Sequence, residues 1–263
     1  MHLLEILKSC FFLDTLKFTQ KIKLPFSLGG RRYLADLLSF KKQAEILQSD
    51  FKFGEFLPCI KDYSSQSAHL PQHYFYQDLL VANKIFKNNP GKHVDIGSRI
   101  DGFIAHVASF RKVEVLDIRP LNIDFDNIIF KQGDLMGELD LEDYSDSISS
   151  LHVIEHFGLG RYNDPIDFKG YLKGLDNIYK MLKVGGKFYF SVPIGKEQVV
   201  FNAHRVFSVK YLVELFQSDY QIDSFSYIDD VENLVVNASI ESKDLDSYLF
   251  DYGCGIFELT KLS

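Results

Sequence analysis

The stretch Lys92-His93-Val94-Asp95-Ile96-Gly97-Ser98-Arg99-Ile100-Asp101-Gly102, followed by the apolar run Phe103 to Phe110, constrains the fold of this chain more than any other. It reads as a short buried strand, a glycine-punctuated turn and a helix. Val94 and Ile96 supply the strand, and Gly97 permits a backbone turn that a Cβ would crowd. Gly102, Ala105 and Ala108 are small enough to let the helix pack closely on a sheet. Such a turn presents free backbone N–H groups at the carboxyl edge of the strand, a ready place to hold a cofactor. Asp117 closes the next apolar run, Val113-Glu114-Val115-Leu116-Asp117, where an acid accepts hydrogen bonds from ribose hydroxyls. Together the two features predict the nucleotide-handling half of a doubly wound α/β domain.

From His93 onward strand and helix patterns alternate. Strands are predicted near 92–96, 112–117, 127–134, 147–151, 187–193, 221–228 and 254–260, with helices at 168–182 and 208–217. A further helix runs from Pro71 to Phe86, before Asn88-Asn89-Pro90-Gly91. Successive strand–helix units imply parallel neighbours joined by right-handed crossovers. The last two strands lack a helix between them, which suits an antiparallel pair at one edge. The expected α/β domain covers 71–263. Residues 1–70 are irregular, with helical patches near 3–13 and 31–48, a turn at Lys23-Leu24-Pro25, and a break at Phe26-Ser27-Leu28-Gly29-Gly30. They read as a helical appendage, a lid or a dimerisation element, so a homodimer is one expectation.

The net charge of −7 argues against a nucleic-acid partner, which wants a basic stripe. Cys10, Cys59 and Cys254 are scattered and odd in number, so neither a disulfide framework nor a thiolate zinc site is indicated, and a reducing cytoplasm is expected. Met1 to Phe18 is broken by Glu5, Lys8, Asp14 and Lys17. It reads as an amphipathic helix rather than a membrane span or a signal peptide, so no stable membrane insertion is expected.

Five phrases taken together resemble the class I S-adenosylmethionine-dependent methyltransferases. They are Val94-Asp95-Ile96-Gly97-Ser98, the acid Asp117, Gly133-Asp134, Leu151-His152-Val153-Ile154-Glu155-His156, and the run Leu182-Lys183-Val184-Gly185-Gly186 leading to Ser191-Val192-Pro193. The resemblance covers about residues 70–262 and implies a Rossmann-like doubly wound sheet of about seven strands with an antiparallel edge strand. More narrowly, Asp95-Ile96-Gly97-Ser98-Arg99 with Glu155-His156-Phe157-Gly158-Leu159-Gly160-Arg161-Tyr162 resembles a bacterial branch associated with surface-polysaccharide biosynthesis. One departure stands out. The family's loop is Gly-x-Gly-x-Gly, whereas here Arg99 holds the middle position, Asp101 the third, and Gly102 comes one place late. A side chain at 99 would crowd the cofactor unless the loop runs differently.

The resemblance implies S-adenosyl-L-methionine as cofactor. Asp95, Gly97, Ser98 and Arg99 would lie near its amino-acid end, Asp117 would hold the ribose, Ile118 would pack on the adenine, and Asp134 with Leu135 would meet the adenine amino group; His152 would border the methyl group. The alternative for each acid is a turn or helix-cap residue. An alcohol acceptor must lose a proton as the methyl group arrives, so a base or metal must stand nearby. His156 is the first candidate for the base and Glu155 its orienting partner or a substrate ligand, with His152 and His204 in reserve. A Mg²⁺ ion on Glu155 and the histidines is a further option, although a hard cation wants more oxygen ligands than the sequence offers. Arg161 would clamp a phosphate or carboxylate of the acceptor, with Tyr162, Arg205 and Tyr74 beside it. Solvent-facing arginines and core aromatics are the bland alternatives. The implied reaction is O-methylation of a sugar hydroxyl on a nucleotide-linked or growing surface-glycan precursor. Two rivals remain: an NAD(P)-binding oxidoreductase, for which Gly97, Gly102 and Asp117 would serve equally, and an assembly protein whose altered loop no longer binds a cofactor.

Overall fold

A computed structural model describes residues 26–48, 53, 57–64 and 72–263. The helix predicted near 3–13 and the turn at Lys23-Leu24-Pro25 lie outside the described residues. The chain divides into two compact units, Met1–Leu70 and Pro71–Ser263. In the first, helix α1 (Leu28–Ile46) starts at Ser27, whose hydroxyl accepts a hydrogen bond from the Gly30 N–H at 3.0 Å. The predicted break at Phe26–Gly30 is therefore a helix start, with Leu28, Gly29 and Gly30 in its first turn. The serine cap outweighs the two glycines.

The second unit opens with α2 (Gln72–Asn88) and β1 (His93–Ile96). A π turn (Ile100–Ile104) then leads into the short helix α3 (Ala105–Ala108). Strands β2 (Val113–Asp117), β3 (Ile128–Gln132) and β4 (Ser145–Leu151) follow, and a 3-10 turn (Ile154–His156) comes after β4. Next are α4 (Gly170–Met181), β5 (Leu182–Ile194), the hairpin β6 (Gln198–Val200) and β7 (His204–Val206), and α5 (Val209–Phe216). Strand β8 (Tyr220–Ile228), the two-residue β9 (Leu234–Val235), α6 (Ser242–Leu245) and β10 (Gly253–Lys261) complete it.

The sheet order is β3-β2-β1-β4-β5-β10-β8-β9. Strands β3, β2, β1, β4 and β5 are parallel, and β10 runs antiparallel to both β5 and β8. This is the Rossmann-like sheet expected from the sequence. It has eight strands because Leu234–Val235 adds to the outer side of β8. The antiparallel strand sits between β5 and β8, which carries its first residues, Gly253 and Cys254, to the carboxyl edge beside Ile194 and Pro193.

The pleat sorts the core. Phe188, Phe190 and Val192 of β5 face one side, where they join Ile178 and Met181 of α4 and Leu212 and Phe216 of α5. Tyr189 faces the other side with Val81 and Ile85 of α2 and Val107 of α3. Burying each such side chain stabilises the fold by roughly 1.5–3 kcal/mol. At the start of β5 its pairing with β4 jumps from Ser145 opposite Leu182 to Ser147 opposite Lys187, so Lys183–Gly186 loops out, with Gly185 at φ 75°. Among the described residues no helix is long and apolar enough to cross a membrane.

Candidate active site at the carboxyl edge of the sheet

At Gly97 φ is +66°, and a Cβ there would stand 2.9 Å from Cγ1 of Val153. Only glycine suits the position. Arg99, at φ −66° and ψ 126°, is extended and needs no glycine. The π turn that follows closes from the Ile104 N–H to the Arg99 carbonyl, at 3.2 Å. A π turn holds one residue more than an α turn, which accounts for Gly102 coming one place late. Gly102 admits Asp78 of α2, whose Oδ2 would lie 2.6 Å from a Cβ there. The Arg99 guanidinium rests 4.8 Å from the centre of the Tyr74 ring and pairs with Asp101 at 3.0 Å. Arg99 thus leans on α2 and borders the cavity rather than crossing the turn.

Two hollows that share part of their wall flank this turn. A cavity of about 580 Å³ has Gly97, Ser98, Arg99, Asp117, His152, Glu155, His156, Arg161, Tyr162, His204, Tyr74 and Tyr252 in its wall. A slot of about 60 Å³ lies between Leu116, Asp117 and Ile118 on one side and Asp134, Leu135 and Phe157 on the other. The turn, the acid, the slot and the histidines predicted from distant phrases are therefore brought to one edge.

Asp95 departs from its expected place. It is fully buried and lines neither hollow. Its Oδ1 accepts from the Ser98 N–H at 2.9 Å, and its Oδ2 accepts from the hydroxyls of Ser98 at 2.7 Å and Ser149 at 2.6 Å. Burial pushes its carboxyl up to about 7 against these three donors. Asp95 shapes the loop from beneath because it points into the sheet, not out of its edge. Ser98 shares that role, since its hydroxyl also accepts from the Leu151 N–H at 3.2 Å.

Asp117 ends β2 and is gripped by Arg119, a residue the sequence reading did not single out. Oδ1 accepts from the Arg119 backbone N–H at 2.8 Å and from Nε at 3.0 Å, while Oδ2 meets the guanidinium at 2.5 Å. Arg119 also lies over the Tyr162 ring, 4.5 Å from its centre. Asp134 accepts from the Met136 N–H at 2.9 Å, a turn that presents Leu135 to the slot.

At the end of β4, His152 adopts φ 55°. Its Nδ1 meets Oε1 of Glu155 at 3.0 Å and its Nε2 meets Sγ of Cys254 at 3.3 Å. Burial opposes charge on this ring, but Cys254 and Glu155 outweigh it and hold His152 well above the ordinary histidine range. His156 differs. Its Nδ1 donates to the Ala203 carbonyl at 2.5 Å, which leaves the lone pair on Nε2, 3.7 Å from Oε1 of Glu155. Burial is the main cause of its lowered pKa. The other carboxylate oxygen of Glu155, Oε2, is buried without a partner. No pattern in the sequence links Cys254 to this trio.

Arg161 donates to the Ala203 carbonyl at 3.0 Å, and no carboxylate pairs with it among the described residues. The His204 ring lies 5.3 Å from that of Tyr252, and Tyr74 packs 5.3 Å from His152. Arg205 does not fit its predicted role. It is buried outside the large cavity, and its guanidinium donates to the carbonyls of Phe157 at 2.6 Å and Phe168 at 3.1 Å. It ties down the loop after the 3-10 turn, because a buried guanidinium must spend its donors on backbone oxygen. Among the described residues no group of three or more His, Cys, Asp or Glu is arranged to hold a metal ion.

With this geometry in place, comparison with known proteins is informative about the fold. The N-methyltransferase NodS from Bradyrhizobium japonicum WM9, solved with S-adenosyl-L-homocysteine, superposes with a TM-score of 0.51 at 14% identity, over 74% of this chain and 90% of NodS. The fold is that of the class I methyltransferases. A phosphoethanolamine N-methyltransferase 2 of Haemonchus contortus, solved with phosphomonomethylethanolamine and S-adenosylhomocysteine, gives a TM-score of 0.50 at 15% identity, over 72% of this chain and 53% of its own. Residues 129–249 match a family model described as a Caenorhabditis protein of unknown function, DUF268. No curated protein matches the chain in sequence.

Proposed function

We propose that the protein is a cytoplasmic S-adenosylmethionine-dependent O-methyltransferase whose acceptor is a sugar hydroxyl of a nucleotide-linked or growing surface-glycan precursor. The observation that carries the reading is the wall of the large cavity: His156, whose Nε2 keeps its lone pair, and Glu155, whose buried Oε2 has no partner, line it together with the Gly97 turn and Asp117. The donor fits the residues present. The turn that only glycine can make clears room for its amino-acid end, Asp117 is at hand for the ribose hydroxyls, and Ile118 and Leu135 flank a slot suited to adenine. When bound, the sulfonium supplies an electrophilic methyl carbon.

The protein's own groups do the rest. Arg119 yields at least one oxygen of Asp117 to the ribose. Nε2 of His156 takes the hydroxyl proton, and Glu155 steadies the imidazolium that results. His152 cannot share that work, since both of its nitrogens are engaged. Opposite pKa shifts on two neighbouring histidines divide base from support. Arg161, Tyr162, His204 and Tyr74 line the side from which the acceptor enters, and Arg161 is available for a phosphate.

Calorimetry with S-adenosylhomocysteine and with NAD, followed by transfer of labelled methyl from S-adenosylmethionine to a panel of nucleotide sugars, tests the proposal. Binding of the homocysteine compound together with a labelled sugar supports it. Preferential binding of NAD would favour an oxidoreductase, and absence of both would favour an assembly role.

A further inference from the structure

We infer that Cys254 is a positioning residue of this site: its sulfur anchors Nε2 of His152, so that Nδ1 meets Oε1 of Glu155 and Oε2 is left without a partner. The inference rests on the reading of Glu155 and His156 proposed above. Three segments far apart in sequence build the chain of contacts: the start of β10, the end of β4 and the 3-10 turn. The side chains of His152 and Glu155 are 6% and 2% exposed and Cys254 is wholly buried, so bulk water does not substitute for the sulfur. His152 also needs an anchor, because a non-glycine residue at φ 55° persists only where its surroundings fix it.

The sulfur has a second neighbour, Oε1 of Gln77, at 3.7 Å. Gln77 is itself fixed by the Ser191 hydroxyl at 2.7 Å. The sulfur is thus within reach of two groups, Nε2 of His152 and Oε1 of Gln77, and the shorter contact is the one to Nε2. Cys254 does not line the cavity, so it acts through His152 and not on the acceptor. Every titratable neighbour of His152 bears on the outcome: Cys254 and Tyr252 from β10 and the segment before it, His73, Tyr74 and Asp78 from α2, and Glu155 and His156 from the turn. Of these, Cys254 and Glu155 touch the ring nitrogens.

The test uses the full chain with S-adenosylhomocysteine added, as wild type, Cys254→Ala and Cys254→Ser, with histidine nitrogens labelled for NMR. In the wild type His152 should titrate above the ordinary histidine range. In Cys254→Ala its titration midpoint should fall by about one pH unit or more, a tenfold loss of proton affinity, and Cys254→Ser should lie between. Turnover of any acceptor found by the panel should drop about tenfold in kcat for the alanine variant with KM unchanged, with partial rescue by serine and a shifted pH profile. Identical His152 titrations in wild type and Cys254→Ala overturn the inference, whatever happens to turnover. If the alanine variant fails to fold, the near-isosteric serine variant decides by the same titration. Should the homocysteine compound fail to bind while the midpoint still moves, the donor reading falls and the coupling of Cys254 to His152 stands.

Discussion

Two buried hydrogen-bond chains run under the carboxyl edge of this sheet, and each joins a histidine to a carboxylate. In the first, His93 lies between the hydroxyls of Ser147 at 2.8 Å and Ser149 at 3.1 Å, Ser149 reaches Asp95, and Asp95 takes both donors of Ser98. In the second, Cys254 meets His152 and His152 meets Glu155. The residue types are alike but the outcomes are opposite. Burial drives the His93 ring down to about 3, whereas its partners hold His152 above the ordinary range. Every polar atom of the first chain is satisfied, while the second ends on an orphaned Oε2. A closed network binds β1, the turn and β4 into one piece. An open one calls for a missing partner. A buried His–acid pair is thus not by itself a catalytic signal; closure decides.

Four measurements would break or sharpen this contrast. The largest effect belongs to the open chain. His156→Ala should lower methyl transfer by roughly a thousandfold while affinity for S-adenosylhomocysteine, read by calorimetry, changes less than about twofold. Unchanged turnover would remove His156 from the chemistry. Next comes the closed chain. Asp95→Ala should lower unfolding free energy by about 3 kcal/mol in urea titrations, because buried donors of Ser98 and Ser149 lose their acceptor. A loss below about 1 kcal/mol would mean that the network binds little.

The third is a pH test with opposite signs. His93 has a folded pKa near 3, below the unfolded value of about 6.5, so the unfolded chain takes up the proton and His93 costs stability as pH falls from about 6.5 toward 3. Asp95, raised to about 7 from an unfolded value near 3.9, binds its proton in the folded state and so adds stability as pH falls from about 7 toward 4. In urea midpoints between pH 7 and pH 5, Asp95→Asn should therefore lose stability relative to wild type, and His93→Gln should gain it. Shifts of the same sign would refute the contrast. The smallest effect is at Arg205. Replacing it with lysine should lower the melting temperature by a few degrees and speed proteolysis within residues 158–168, since an ammonium cannot reach both the Phe157 and Phe168 carbonyls. Equal cleavage rates would show that the loop holds without the fork.

Much of what gathers at the carboxyl edge was legible because its signals are local. The strand–glycine–strand–acid spacing from Val94 to Asp117 requires only short-range geometry, and Gly97, Asp117, Ile118, Asp134 and Leu135 all reach the two hollows. The displaced glycine was legible as a departure, but its cause was not: a π turn is a backbone choice that Gly102 accommodates against Asp78 of a different helix. Asp95 and Arg205 look like site residues in sequence because they neighbour the right motifs, and only burial reveals that both hold loops in place. Cys254, Tyr252 and Gln77 left no signal, because no spacing rule connects position 77 or 254 to position 152.

The sequence alone determined an alternating α/β chain with a glycine turn and trailing acids at one edge, since the hydrophobic period and glycine's backbone freedom act within a few residues. The tertiary structure decided which buried carboxylate is closed off and which is left open. That depends on β10 being threaded antiparallel between β5 and β8, which sets Cys254 against His152. The energy of a buried polar group is fixed by its partners, and these partners are brought together only by the folded sheet.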